Sequence, residues 1–378
     1  MPSSKSPRYA ALDSYRFLAA SGVVLYHYNT DFQLGLATRL PLVTNLSCMV
    51  DFFFILSGFV IAQGYRTRLA SVREYGIFLR ARLARIYPLH ALILACYIVL
   101  IAVAYVLHVK PNHPEILAIS GLPADLLLVQ AWGVLDHLSF NVPSWSISAE
   151  WFVYLLAPVV FAIVRRVSLA FSVLCALLLI AIMIMVRNAL GMQDWMESTY
   201  QFGMLRALPG FFVGAAISEA MCKGQLRCKP SWWTAHALAI SALVVLSLDI
   251  PRELVLPIFG LLIIFAALAD AGGAPSLLKH RLLLALGESS YALYMLHVLV
   301  SVPFLIAVRR LHLIETRWTF AFALASFGVS IVLSLLSYRT FERPMRAWIT
   351  NAAAKPAAQV AGQAAEPATT MTSDPFRL

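Results

Sequence analysis

Charge is what this chain has least of. Of its 378 residues, 13% are charged and 60% are hydrophobic, whereas a soluble domain carries about 25% charged residues. So little polar surface cannot cover a water-soluble globule. Cysteine is also sparse. Cys48, Cys96, Cys175, Cys222 and Cys228 are scattered, with no CxxC pair and no Cys/His spacing suited to a metal, so neither a disulfide framework nor a metal site is expected. A Walker A loop, GxGxxG, GxSxG, HExxH and internal repeats are all missing. An ATP-driven pump, a serine acyl-enzyme and a zinc hydrolase therefore lack support. The opening "MPSSKSPRY" leads into an apolar run longer than a signal-peptide core, and no small-x-small cleavage site follows, so an uncleaved N-terminus is expected.

What the chain does have is hydrocarbon. The mean hydropathy is +0.77, and apolar runs of about 20 residues recur, as needed to cross a hydrocarbon layer of about 30 Å. The pattern predicts an all-α polytopic membrane protein with about ten transmembrane helices. They centre near residues 12–29, 47–65, 87–108, 144–165, 169–187, 203–221, 234–249, 253–270, 286–308 and 317–338. With the N-terminus inside, the inner segments hold eighteen Lys and Arg and the outer segments seven. That bias places both termini in the cytoplasm. It also explains the net charge of +10 as topology signal rather than nucleic-acid binding. One membrane domain is expected over residues 8–348. Residues 349–378, rich in Ala, Pro and Thr, read as a disordered cytoplasmic tail. In the long outer loop 109–143, the apolar piece "LPADLLLVQAWGVL" reads as a re-entrant or interfacial helix.

Ionisable groups inside such runs cost free energy and are functional candidates by default. In "DSYRFLAASGVVLYHY", Arg16 and His27 are eleven residues apart. On a helix this is about 20° past three full turns, so both share one face at a separation of about 16 Å along the axis. The alternatives are a functional pair, or Arg16 snorkelling to headgroups with His27 satisfied in a helix interface. Arg82 and Arg85 in "FLRARLARIYPL" are i,i+3 neighbours whose guanidinium forks suit phosphate, although positive-inside charge explains them too. Glu150 in "PSWSISAEWF" lies one turn after Ser146 and either serves chemistry or rests at a helix N-terminus. Asp51 is an N-cap or a site residue, and Arg206 stands at an intramembrane mouth. His297 shares a face with Tyr291 and Tyr294 and reads as a satisfied packing histidine.

Together these segments resemble the acyltransferase-3 family of membrane acyltransferases. The resemblance is carried in order by "LDSYRFLAASGVVLYHY", "VDFFFILSGFVIA", "FLRARLARIYPLHAL", "PSWSISAEWFVYLLAP", "RALPGFFVGAAI", "LGESSYALYMLHVLV" and "YRTFERPMRAW". The Arg-to-His spacing in the first helix is the family hallmark. "DSYR" departs from it, because a small residue and Leu commonly precede the Arg. An appended SGNH-type hydrolase domain, which some family members carry, is not expected. The resemblance implies a multi-pass enzyme of the bacterial inner membrane that O-acylates a carbohydrate, with cytoplasmic acetyl-CoA as donor. It implies His27 as catalytic histidine and Arg16 as its paired motif residue. Arg82 and Arg85 match the family's Arg-x-x-Arg element, and Glu150 its acidic residue after the Trp-Ser motif. The expected reading is CoA binding by Arg16, Arg82 and Arg85, with His27 and Glu150 as the catalytic groups.

The expected acceptor is a lipid-linked or surface glycan such as an exopolysaccharide or O-antigen precursor. Succinylation of a periplasmic glucan is an alternative within the same chemistry. From another class, a glycan or lipid transporter without acyl chemistry would also need intramembrane charges, but not the Arg-to-His spacing. Membrane lipids are partners in either case, and oligomeric state is not legible.

Overall fold

A computed structural model describes residues 9–352 apart from 109–112, 190, 192–194, 227–231, 249, 274, 275 and 315. Among the described residues there is no strand. The helices are α1 (Ala10–Asp31), α2 (Pro41–Asn45), α3 (Met49–Tyr65), α4 (Val72–Val106), α5 (Leu122–Leu126), α6 (Trp145–Val164) and α7 (Leu169–Ala189). They continue with α8 (Gly203–Cys222), α9 (Trp232–Ser247), α10 (Val255–Ala271), α11 (Arg281–Glu288), α12 (Ser290–Arg310), α13 (Arg317–Ser337) and α14 (Arg343–Ala352). A five-residue π-helical segment, Tyr338–Glu342, joins α13 to α14.

Among the described residues, eight helical segments are long and apolar enough to cross a membrane, against the ten or so that the sequence pattern predicts. The two outside the set are α1, which carries Asp13, Arg16 and Asp31, and α9, which has 16 residues. The apolar piece of the outer loop forms only the five residues of α5 followed by turns. Pro123 opens that helix. Helix α14 runs through the boundary expected at 348 and continues to Ala352; residues 353–378 of the expected tail lie outside the described residues.

Local chemistry explains the longest element. Ser71 accepts from the backbone N–H of Glu74, whose carboxylate returns to the backbone N–H of Ser71. This capping box satisfies two orphan donors and starts α4 well before its apolar stretch. At 35 residues, α4 is about 52 Å long, more than a hydrocarbon layer of about 30 Å requires. The excess carries Arg80, Arg82 and Arg85.

Small residues set the packing. A Cβ on Gly58 would lie 2.0 Å from the carbonyl oxygen of Phe211, and one on Gly214 would lie 1.9 Å from that of Ile55. Helices α3 and α8 therefore cross with their backbones in contact, as glycine allows. A Cβ on Gly287 would meet the Asp13 carbonyl oxygen at 2.2 Å, which brings α11 equally close to α1. Among the eight candidate spans, the segment containing α3 is the most enclosed and α7 the least. The exposed side of α7 shows Leu174, Leu177, Leu178, Ile182 and Met185, the composition of a lipid-facing surface. Hydroxyls hold α1 to α12 and α13. The Tyr28 hydroxyl bonds Ser326 Oγ at 2.8 Å and Ser330 Oγ at 3.1 Å, and it donates to the His297 carbonyl at 3.2 Å.

Candidate active site

Between α1, α3, α4, α6 and α12 lies a cavity of about 140 Å³ whose wall includes Arg16, Ser57, Arg82, Arg85, Glu150 and Tyr294. Four of the five residues singled out from the sequence thus meet in one place, although they come from three helices.

The arginines are presented rather than neutralised. Among the described residues no acidic side chain forms an ion pair with Arg82 or Arg85. The Arg82 guanidinium lies over the rings of Tyr65 and Phe78, at 5.4 and 5.9 Å, and its buried Nε has no partner. Arg85 lies over Tyr291 at 5.8 Å. Cation–π contact positions a guanidinium while leaving most of its donors free. Arg16 approaches Asp13 one turn away at 3.7 Å, with both side chains partly exposed. Charged forks with unspent donors form an anion-binding arrangement.

Glu150 occupies the cavity wall on α6. Its Oε1 accepts from Ser57 Oγ at 2.8 Å and from the hydroxyl of Tyr154, one turn further along the same helix. The carboxylate is tied to hydroxyls rather than to a cation, and no hydrogen bond or ion pair among the described residues joins it to His27.

His27 is not part of the cavity wall. Half-buried on α1, its imidazole has the rings of Tyr26 and His297 as neighbours, each centroid 5.1 Å away. The boundary between the two places is Tyr294, which lines the cavity and whose ring lies 6.2 Å from that of His297. Its hydroxyl donates to the carbonyl of Pro143 at 3.2 Å, an acceptor shared with Ser146 Oγ at 3.0 Å. The short turn before α6 is thereby fastened to α12.

The sequence reading of three further residues changes. Asp51 and Arg206 form one fully buried pair. Arg206 Nε donates to Oδ1 at 3.1 Å and Nη2 to Oδ2 at 2.6 Å, while the guanidinium lies over Trp145 at 5.2 Å. This fork-to-carboxylate contact bridges α3 and α8 and leaves neither group free as a site residue. His297 is not a satisfied packing histidine: Nδ1 bonds the carbonyl of Tyr294 at 2.7 Å, but Nε2 is buried without a partner. A periodicity argument sees only that His297 shares a face with two tyrosines. The available signal was that a second imidazole in a hydrocarbon run needs a reward of its own.

Residues 9–339 match the family described as "Acyltransferase domain". The chain is 28% identical over 374 residues to "Acyltransferase MdmB" of Streptomyces mycarofaciens, covering 89% of this chain and 91% of that protein. It is 33% identical over 166 residues to "Protein 2 in picA locus" of Rhizobium radiobacter, covering 40% of this chain and 81% of that protein. No solved structure matches the chain.

Proposed function

This chain belongs to the acyltransferase-3 family and is a membrane acyltransferase, and from that premise we propose that it moves an acetyl group from cytoplasmic acetyl-CoA to a sugar hydroxyl of a lipid-linked exopolysaccharide or O-antigen glycan. The observation that carries the reading is the cavity in which Arg16, Arg82, Arg85 and Glu150 converge, with His27 further along the helix that supplies Arg16. In this reading α1 and α9 complete ten spans of an inner-membrane protein, and both termini are cytoplasmic.

CoA phosphates engage Arg82, Arg85 and Arg16, whose forks match phosphate geometry. The pantetheine arm then runs along α1, where the axial separation of Arg16 and His27 is about 16 Å, and presents the thioester to His27. The cavity of about 140 Å³ closes at Tyr294, so the arm displaces that wall to reach the imidazole. His27 takes the proton of the acceptor hydroxyl as its oxygen attacks the thioester carbonyl. The C–S bond breaks, and the thiolate leaves with the proton held by His27, giving an ester and CoA thiol. Glu150 is the second catalytic group; it faces the arm with Ser57 and Tyr154 held in place.

The test has two parts. Purified protein in proteoliposomes of native membrane lipids, which carry the lipid-linked acceptor, should consume labelled acetyl-CoA, and His27→Ala should lower that turnover about 10³-fold; unaltered turnover in the variant overturns the site assignment. Mass spectrometry of cell-surface glycans should show a loss of one acetyl per modified unit when the protein is removed. A loss of succinyl instead would correct the donor, and no change would refute the acceptor class.

A further inference from the structure

The imidazole of His297 is fully buried, with 0% exposure, and is half used. A carbonyl oxygen can only accept, so the 2.7 Å contact with Tyr294 makes Nδ1 the protonated nitrogen. The lone pair on Nε2 then stands buried with no hydrogen-bond partner. A bare acceptor at this depth is costly, and native interiors retain such groups where something else completes them.

The neighbouring imidazole is His27, with ring centroids 5.1 Å apart and planes inclined by 44°. That separation leaves room for one N–H···N hydrogen bond of about 2.9 Å between the ring edges. Its surroundings also hold His297 still. The Tyr28 hydroxyl donates to the His297 carbonyl, and Asn141 Nδ2 donates to the carbonyl of Met295 at 3.0 Å. Two separate segments, α1 and the turn before α6, thus hold α12 where the two rings meet.

We propose that His297 is the positioning residue for His27: its bare Nε2 accepts the N–H of His27 once the two ring edges turn towards each other, and leaves the other nitrogen of His27 unprotonated towards the acceptor hydroxyl. The inference rests on the acyl-transfer reading above. It extends the hydrogen-bond series from the Tyr294 carbonyl, through His297 Nδ1–H and Nε2, to His27. His297 neither gains nor loses a proton overall. It sets the tautomer of His27 and supports the positive charge that His27 carries while it holds the proton of the hydroxyl, the service a carboxylate gives elsewhere. A neutral imidazole performs it without a second buried charge.

Two variants separate positioning from packing. His297→Phe fills the space without an acceptor, and His297→Gln returns an acceptor oxygen near the position of Nε2. In proteoliposomes of native membrane lipids, His297→Phe should lower kcat for labelled acetyl-CoA turnover about 100-fold, within the range for acid–base groups, while its KM stays within about twofold. His297→Gln should recover about tenfold of that loss. Added to His27→Ala, His297→Phe should cost nothing further, as expected of residues acting as one unit. Full kcat in His297→Phe, additive losses, or equal losses in the Phe and Gln variants would overturn the proposal.

Nitrogen-15 NMR of histidine-labelled full-length protein in nanodiscs supplies a readout free of turnover. His297 should show a protonated Nδ1, and its Nε2 resonance should move in His27→Gln. An unmoved resonance sinks the pairing even if acyl transfer is confirmed. If the wild-type protein turns over no acetyl-CoA, the acyl-transfer reading fails, and the same spectra still decide whether the two rings are joined.

Discussion

The two ends of α1 carry ionisable groups on one face, yet they are built in opposite ways. At the Arg16 end, three guanidiniums line a cavity, two of them poised over aromatic rings with donors unspent. At the His27 end the cavity has stopped, and the neighbouring groups are fastened by Tyr28, Asn141 and Tyr294. Recognising a charged, flexible molecule needs donors that remain available. Moving a proton needs a base whose orientation is already fixed. In the proposed reading, binding and chemistry are separated along α1, with Tyr294 between them.

The largest expected effect falls on the His27 end. His27→Ala should lower kcat by about 10³-fold with the KM for acetyl-CoA little changed and the folded yield intact. A KM change alone would erase the division between the two ends. A control outside both ends comes next. Breaking the buried Asp51–Arg206 pair leaves an uncompensated charge, at a cost of about 3–5 kcal/mol, so Arg206→Leu should sharply lower the unfolding temperature in detergent. Stability equal to wild type would mean that the pair does not hold α3 to α8.

At the Arg16 end the expected change is one of affinity. Arg82→Ala and Arg85→Ala should each raise the KM for acetyl-CoA by about 10- to 100-fold, the worth of a charge-assisted hydrogen bond of about 1.5–3 kcal/mol, with kcat nearly preserved. Acetyl-pantetheine, which lacks the nucleotide phosphates, should be used equally well by wild type and variants. A penalty that persists with that donor would move these arginines away from phosphate. Glu150→Gln keeps an acceptor for Ser57 and Tyr154 but removes the charge, and kcat should fall about tenfold; unchanged kcat would remove Glu150 from the catalytic groups.

The effect most remote from both ends lies in the outer loop. Asp125 is fully buried, and burial pushes its carboxyl up to about 7, whereas the unfolded chain titrates near the ordinary carboxylate value of about 3.9. The native loop therefore favours the protonated acid. Its stabilisation is complete below the unfolded value and is lost as pH rises from about 4 to about 7, above which both states are ionised. Hydrogen-exchange protection around α5, corrected for the intrinsic exchange rate, should fall over that range, and Asp125→Asn should flatten that dependence.

Much of this was legible beforehand because hydropathy and helical phase are local properties. The membrane class, the shared face of Arg16 and His27, and the candidacy of Arg82, Arg85 and Glu150 all follow from neighbours in sequence. What stayed hidden depends on contacts across the bundle. Asp51 and Arg206 are 155 residues apart, so no periodicity joins them. The rule that each intramembrane charge needs an opposite partner gave the hint. His297 was misread because a shared helix face says nothing about which of two nitrogens finds an acceptor. The reach of the cavity was equally invisible, since the position of the Tyr294 ring depends on a turn some 150 residues earlier.

The glycine crossing of α3 and α8 has a mechanical consequence. Where a Cβ would sit within 2.0 Å of the opposing backbone, there is no slack for sliding, so the two helices behave as one beam, braced by the Asp51–Arg206 strut. The hydroxyl ties among α1, α12 and α13 make a second stiff body. In the proposed reading, room for the donor's long arm opens at the joint between beam and body, and Tyr294, whose ring lies 6.1 Å from that of Phe53 on α3, is the latch on that joint.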